Sequence, residues 1–304
     1  MRDCGLLDLP SGEPFASLFT QGMVVHETYR SASGVWLLPE ETELKDGRRI
    51  DLAGKAVEIG AIEKMSKSKK NVVDLDAFIA DFGADVARWF VLSDSPPERD
   101  VEWTAAGVKG AWGFVQRVWT LVDAHGRPAP KPGDAAPKVD GEAHALRQLA
   151  HRAIQHVTDD IEHFRFNVAV AKCYELVNAI AKLKGDDAGV VFARGEALRI
   201  LTQLMSPFMP HLAEECWEKL GFAPFVAIAP WPKADRDLAA RATVTLPIQV
   251  NGKKRAEIEA AKGAAEALVR EMALAHPAVA QFLAGQTVRK VIVVPDRIVN
   301  IVAS

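Results

Sequence analysis

The chain has 304 residues, of which 49% are hydrophobic, 25% charged and 7% aromatic, a mix ordinary for a globular protein of two or three domains. Its 37 basic residues nearly balance 40 acidic ones, giving a net charge of −3, so contact with nucleic acid would have to use local basic surface. Cys4, Cys173 and Cys216 are few, odd in number and far apart, which excludes a disulfide scaffold and a Cys-x-x-Cys zinc site and suits a reducing cytoplasm.

No apolar run approaches the roughly 18 residues of a membrane span, and Arg2, Asp3, Asp8 and Glu13 at the N-terminus do not read as a secretion signal. Residues 1–63 read as mixed structure, with strands at 34–38 and 56–59 flanking a Lys45-Asp46-Gly47 turn. Asp74 is placed to cap a short helix that Gly83 stops. Val86, Trp89 and Phe90 then share one face of a second helix, ended by Pro96-Pro97. Thr104 is placed to cap a longer helix in which Val108, Trp112, Val115, Trp119 and Val122 form one apolar stripe, so both tryptophans are expected in the core.

Residues 126–141, GRPAPKPGDAAPKVDG, carry four prolines and little large apolar surface, which predicts an extended linker. Beyond it Leu146, Leu149, Ala153, Val157, Ile161 and Phe164 recur at helical spacing. Asn167 suits the cap of a next helix bearing Val170, Tyr174, Val177 and Ala181, and Leu198, Leu201, Leu204 and Met205 open a third. Ser206-Pro207 breaks that helix, Pro210 suits a new first turn and Gly221 a stop. Antiparallel helices on short loops predict a bundle.

From Arg241 the apolar period becomes two: Val244, Leu246, Ile248 and Val250 lead into Asn251-Gly252, a strong hairpin signal. A helix from about Gly263 to Leu283, interrupted near Pro277, and strands at 290–294 and 298–302 complete a small α+β domain. Residues 241–304 hold nine basic and five acidic side chains, a net +4, while the other 240 residues carry −7. A basic end on an acidic chain favours contact with an RNA backbone.

The stretch richest in chemistry is Glu63-Lys64-Met65-Ser66-Lys67-Ser68-Lys69-Lys70-Asn71. A lysine cluster with serines is by itself usually a solvated loop. Between a strand and a helix start it can instead present ammonium groups and backbone N–H donors to a phosphate chain. Charge stabilisation and positioning of that kind suit a triphosphate that loses pyrophosphate.

Lys64-Met65-Ser66-Lys67-Ser68 is identical to the KMSKS signature of class I aminoacyl-tRNA synthetases. Thr20-Gln21-Gly22-Met23-Val24, Phe82-Gly83-Ala84-Asp85, Ser95-Pro96-Pro97-Glu98, Val101-Glu102-Trp103 and Ser206-Pro207-Phe208-Met209-Pro210-His211 resemble the leucyl-tRNA synthetases in particular. Val250-Asn251-Gly252-Lys253 and residues 287–295 are similar to that family's C-terminal domain. The isoleucyl and methionyl members often carry cysteine-ligated zinc, which three scattered cysteines cannot supply, and the valyl members end in a charged helical hairpin. The resemblance implies a mixed fold. Residues 1–97 would form the end of a class I α/β catalytic domain with the KMSKS loop, and 98–235 an all-α, anticodon-binding-type helical bundle. Residues 236–304 would form a small, basic α+β domain that binds tRNA.

It implies a leucine–tRNA ligase activity, in which leucine is activated with ATP, with Mg2+ as part of that substrate, and transferred to tRNA-Leu. Lys67 would contact ATP, with Lys64 as a second catalytic lysine and Met65, Ser66 and Ser68 completing the nucleotide loop. Lys253, Lys254, Arg255, Arg289 and Lys290 are the tRNA-binding candidates, and no metal site is expected. The family's other ATP signature, His-Ile-Gly-His or a close variant, is absent around all eight histidines. The chain therefore resembles the C-terminal portion of such an enzyme, without the N-terminal nucleotide-binding half and the editing domain. It is expected to be inactive alone, and the rival reading is a non-catalytic tRNA-binding fragment or a subunit needing a separate N-terminal half. The expected location is cytoplasmic.

Two other groups carry less. His151, His156 and His163 are spaced by 5 and 7, do not share one helix face and read as partly exposed residues. His211, Glu214, Glu215 and Cys216 lack the His-Glu-x-x-His order; His211 reads as a helix-start residue and Cys216 as core.

Overall fold

The computed structural model describes residues 2–9, 12–240 and 243–304; Arg241, where the period of two begins, lies outside them. Two compact units divide at Met1–Ala234 and Asp235–Ser304. In the first, β1 (Val24–Arg30) is the centre of a small mixed sheet. Along one edge runs antiparallel β5 (Glu58–Lys64), with His26 opposite Glu63 and a bulge between Glu27 and Tyr29. The other edge holds β2 (Trp36–Leu37), antiparallel, and β6 (Val101–Glu102), parallel to Val24 and Val25.

The expected turn at Asp46-Gly47 is present, with φ of 48° and 75°, but its flanking strands differ from those expected. They are β3 (Thr42–Lys45) and β4 (Arg48–Asp51), a separate two-stranded hairpin. These strands are mostly charged and exposed, so they show little of the apolar alternation that marks a half-buried strand. Of the expected strand at 56–59, residues 58 and 59 open β5, which starts two positions later than expected.

Capping chemistry sets the helices that follow. Asp74 accepts from the amides of Asp76 and Ala77 to open α1 (Leu75–Phe82), and Gly83, at φ 82°, ends it and starts α2 (Ala84–Asp94). Thr104 accepts from Gly107 N at the head of α3 (Ala105–His125). The buried stripe of α3 is Val108, Ala111, Phe114, Val118 and Val122, one position away from the expected one in its middle. Both stripes share Val108 and Val122. The choice is made by Trp89 of α2, fully buried and stacked on Phe114 at 4.4 Å between centroids. Trp119 is consequently 37% exposed, with Lys219 Nζ 5.1 Å above its ring, and is not a core residue.

Residues 127–139 hold no regular element and join α3 to α4 (Gly141–Glu162), with Ala129 N donating to Leu220 O at 2.9 Å. α5 (Phe166–Lys182) begins one residue before Asn167, behind Arg165. The chain reverses there through Phe164 at φ 57°, which leaves that ring half-exposed on Phe19 rather than in the core. α6 (Ala188–Met205), capped by Asp187, is buried along its whole second half, and α7 (Pro210–Lys219) follows. Cys216 is core as expected.

α2 fastens the α6–α7 corner at both ends. Arg88 donates to Pro207 O and Phe208 O at 2.7 and 3.0 Å, a cation on the carbonyls of the turn between α6 and α7. One turn earlier Asp85 accepts from Leu212 N at 2.7 Å, with His211 Nδ1 2.8 Å away, an anion on the first turn of α7. His211 is thus a helix-start residue whose partner is 126 positions upstream. Asp85→Ala leaves the Leu212 amide without its acceptor and should cost about 1–3 kcal/mol, measured as a shift in the urea midpoint of the whole chain.

In the second unit, α8 (Arg236–Ala239) is a single turn capped by Asp235. β7 (Thr243–Val250) and β8 (Lys253–Ala261) form the hairpin expected at Asn251-Gly252, with φ of 49° and 79°. α9 (Glu266–Ala275) stops before Pro277, which starts α10 (Pro277–Leu283); a residue ahead of proline avoids helical ψ. β9 (Val288–Val294) and β10 (Ile298–Ala303) complete a sheet of order β8-β7-β10-β9, with β7 and β10 parallel. Leu246, Ile248, Val250, Ile258, Val299 and Ile301 bury one face of the sheet against Val269, Ala273 and Val279.

Candidate functional site

The lysine-rich stretch is the end of a strand and a single 3-10 turn. Lys64 is the last residue of β5, and Met65 N donates to Val24 O at 3.3 Å, so the backbone is still held to β1. Ser66 is extended, with φ −148° and ψ 142°, and its hydroxyl accepts from Lys69 N at 3.4 Å, which caps the turn Lys67–Lys69. Lys70 closes it at φ 54°, a left-handed conformation that costs a side-chain-bearing residue roughly 1 kcal/mol.

Asn71 lies beneath this loop with no exposed surface. Its Oδ1 accepts from Ser66 N at 2.9 Å, and its Nδ2 lies 3.2 Å from both His26 O and Glu63 O and 3.3 Å from Lys64 O. A buried amide that spends both its donors and its acceptor on backbone is a structural tie.

The four lysines separate into two kinds. Lys69 forms an ion pair with Glu63, and Lys70 Nζ lies 3.2 Å from Glu41 Oε2. The amide of Leu38 and the Lys70 ammonium hold the Glu41 carboxyl below its ordinary range. Lys64 and Lys67 are exposed and, among the described residues, make no ion pair. Two ammonium groups therefore face solvent from a short, tied-down loop, while carboxylates neutralise the other two. Ser68 is exposed beside them, its hydroxyl 3.4 Å from that of Ser66. An anion with several charges, such as a triphosphate, matches the two free lysines.

Behind β1 a cavity of about 390 Å³ is lined by His26, Glu27, Tyr29, Arg49 and Trp103, among others. Burial, then a hydrogen bond to Glu27, pushes the Tyr29 hydroxyl up to about 12, so it remains a neutral donor. Among the described residues no group of three or more His, Cys, Asp or Glu side chains could hold a metal ion, and no helix is long and apolar enough to cross a membrane.

Strand register gathers the basic candidates of the second unit at one end of its sheet. Lys253 and Lys254 stand opposite Val250 and Gln249, on the far side of which lie Ile301 and Asn300. Lys290 stands opposite Val302, and Arg289 occupies the adjacent bulge. Because β8 and β9 are opposite edges, the charges span three strand spacings, about 14 Å. All five are exposed. Arg255 lies over the Phe282 ring at 4.0 Å, Lys254 pairs with Glu257 at 2.6 Å and Arg289 Nε donates to Ser304 Oγ.

His151 departs from the expectation of a partly exposed histidine. It is buried, 3.4 Å from Glu196, which also binds Arg147. Its carboxylate partner is 45 residues away on α6, beyond the reach of helix spacing. Asn71, Glu63 and Glu41 are likewise outside the site residues expected from the sequence. Glu63 and Asn71 bracket the lysines in sequence, whereas Glu41 arrives from the 3-10 turn ahead of β3, for which no linear signal exists.

Two family models match parts of the chain: the anticodon-binding domain of tRNA ligase over residues 143–270, and the class I tRNA synthetases (M) over residues 59–111. The leucine–tRNA ligases of Maricaulis maris and Hyphomonas neptunium are 58% and 57% identical over the whole chain, which covers 35% of each of them. That of Caulobacter sp. is 53% identical, again over the whole chain and 35% of its own length. Among solved structures, the Agrobacterium radiobacter K84 agnB2 LeuRS in a ternary complex with tRNA and LeuAMS is similar with a TM-score of 0.69 and 28% identity. That likeness covers 96% of this chain and 34% of the other. The chain thus spans about a third of the length of the relatives it matches.

Proposed function

Since the chain belongs to the leucine–tRNA ligase family, of whose members it corresponds to a C-terminal part, we propose that it supplies the nucleotide-clamping lysine loop and the tRNA-binding surfaces of that reaction. In this reading Lys64 and Lys67, with Met65, Ser66 and Ser68 forming the loop between and beside them, meet the phosphates of ATP. ATP enters with its Mg2+ as substrate, leucine is activated as its adenylate, and the leucyl group passes to tRNA-Leu. The observation that carries the reading is the division of the lysines: Lys69 and Lys70 are spent on Glu63 and Glu41, while Lys64 and Lys67 remain free and exposed. The rest of the pocket, including the leucine site, would come from the remaining two-thirds of a family member. Leucine-dependent pyrophosphate exchange should therefore be absent with the 304-residue chain alone and present in a complete ligase that carries it. Exchange by the chain alone would contradict this division of labour.

The basic end of the second unit favours the rival reading, in which the chain binds tRNA without chemistry of its own. Lys253, Lys254, Arg255, Arg289 and Lys290 would meet phosphates, and affinity for tRNA-Leu would fall steeply with salt. Replacing Lys253 or Lys290 by alanine should each lower the slope of log affinity against log salt by about 1, measured by titrating the whole chain. No binding even at low salt would remove this role.

A further inference from the structure

Asn71 has no place in the chemistry described above, yet it is among the most constrained polar side chains of the first unit. It is wholly buried, and its amide reaches three stretches of backbone at once: Ser66 in the loop, Glu63 and Lys64 at the end of β5, and His26 in the neighbouring β1. The free lysine Lys64 is itself one of the residues so bound, and Lys67 follows Ser66 directly. The path of the chain between them depends on few other ties: Met65 N to Val24 O, and the Ser66 hydroxyl to Lys69 N, both long at 3.3 and 3.4 Å. The shorter bond from Ser66 N to Asn71 Oδ1, at 2.9 Å, is the one that sets where the turn begins.

We propose that Asn71 is a positioning residue for the lysine loop. It fixes the backbone at both ends of Met65 so that the ammonium groups of Lys64 and Lys67 are presented together, in one geometry, to the phosphates. This rests on the reading that the loop serves ATP. The alternative role for such a residue is to hold β1 and β5 together. That role is already filled by the ladder from Val25–Lys64 to Arg30–Glu58, so loss of Asn71 should free the loop and leave the sheet standing.

Three measurements on Asn71→Ala and Asn71→Asp test this. Asn71→Asp keeps an acceptor for Ser66 N but sets carboxylate oxygen against three carbonyls, so it should behave like Asn71→Ala if the donors matter. In the 304-residue chain, amide hydrogen exchange at Ser66 and Lys69 should speed up about tenfold or more, while the amides along the β1–β5 ladder stay protected. In a complete ligase carrying the chain, leucine-dependent pyrophosphate exchange should show a raised KM for ATP or a lowered kcat, by about tenfold or more, with the KM for leucine unchanged. Unchanged exchange at Ser66 and Lys69 would overturn the proposal, because Asn71 would not hold the loop. So would faster amide exchange with unaltered ATP kinetics, because the order it imposes would not be used. A complete ligase with the unsubstituted chain that fails to form leucyl-adenylate would instead sink the reading of the loop on which the proposal rests.

Discussion

Lys67→Ala in a complete ligase should slow leucine-dependent pyrophosphate exchange by roughly two orders of magnitude, the rate equivalent of the ~3 kcal/mol carried by one donor to a developing charge. The size of the effect follows from what the lysine does in the absence of nucleotide. A side chain already bound to a carboxylate must break that pair before it can meet a phosphate, which offsets much of the gain. Lys67 has no such partner among the described residues, sits in the capped turn Lys67–Lys69 and is exposed. Lys69 and Lys70 serve as controls within the same loop. Their ammonium groups are committed to Glu63 and Glu41, so alanine at either position should act through loop geometry and produce a smaller loss. An unchanged exchange rate for Lys67→Ala would refute its role, and an equal loss at all four lysines would mean that the loop acts only as a diffuse positive patch.

Much of the fold was legible because local chemistry and tertiary contacts agree there. Asp74, Thr104 and Gly83 behave at their helix ends as their residue types dictate, and Asn251-Gly252 makes the hairpin turn that only residues tolerant of positive φ adopt readily. Misreadings occur where two local solutions are nearly equal and a distant residue chooses. α3 is apolar on more than one side, and its buried stripe is set by the stack of Trp89 on Phe114. The sequence near Asn167 offers a cap, but the reversal is made by Phe164 at positive φ, with Arg165 bound to Asp160 at 2.8 Å. The site divides in the same manner. Its lysines are contiguous and were visible as a motif, whereas the carboxylates that neutralise two of them are six and twenty-nine positions away from their partners. The two lysines inside the pentapeptide stay unpaired and the two just beyond it are paired, a division that only the folded positions of Glu63 and Glu41 reveal. His151 makes the same point in the bundle, since a buried histidine beside a carboxylate cannot be told from a surface one until the second helix is in place.

That second helix brings in Glu196, whose replacement should have the largest effect on stability. Its side chain is 9% exposed and accepts from Arg147 at 2.6 and 3.2 Å, with His151 Nε2 at 3.4 Å. Burial alone would push this carboxyl up. The hydrogen bonds from His151 and Arg147, together with their charges, outweigh burial and bring it down to about 2. Arg199, one turn further along α6, is also buried; burial depresses its guanidinium, and the nearby charges of Glu196 and Asp134 support it. Glu196→Gln keeps the shape and removes the charge, leaving Arg147 and Arg199 in the bundle without that counter-charge. Breaking a buried pair from one side typically costs about 3–5 kcal/mol, a large part of the 5–15 kcal/mol that holds a domain together.

The pH dependence separates this from a general packing defect. A carboxyl at about 2 in the folded chain and near 4.5 when unfolded binds its proton more readily in the unfolded state. It therefore contributes about 3 kcal/mol above pH ~4.5, and that contribution is lost as pH falls from there toward 2. Other carboxylates titrate in both proteins and cancel in the comparison. Urea unfolding of the two chains should give a gap of several kcal/mol at pH 7 that narrows toward pH 2.5. A gap below 1 kcal/mol at pH 7, or one of constant size across that range, would show that the Arg147–Glu196–His151 cluster is not what holds α4 to α6.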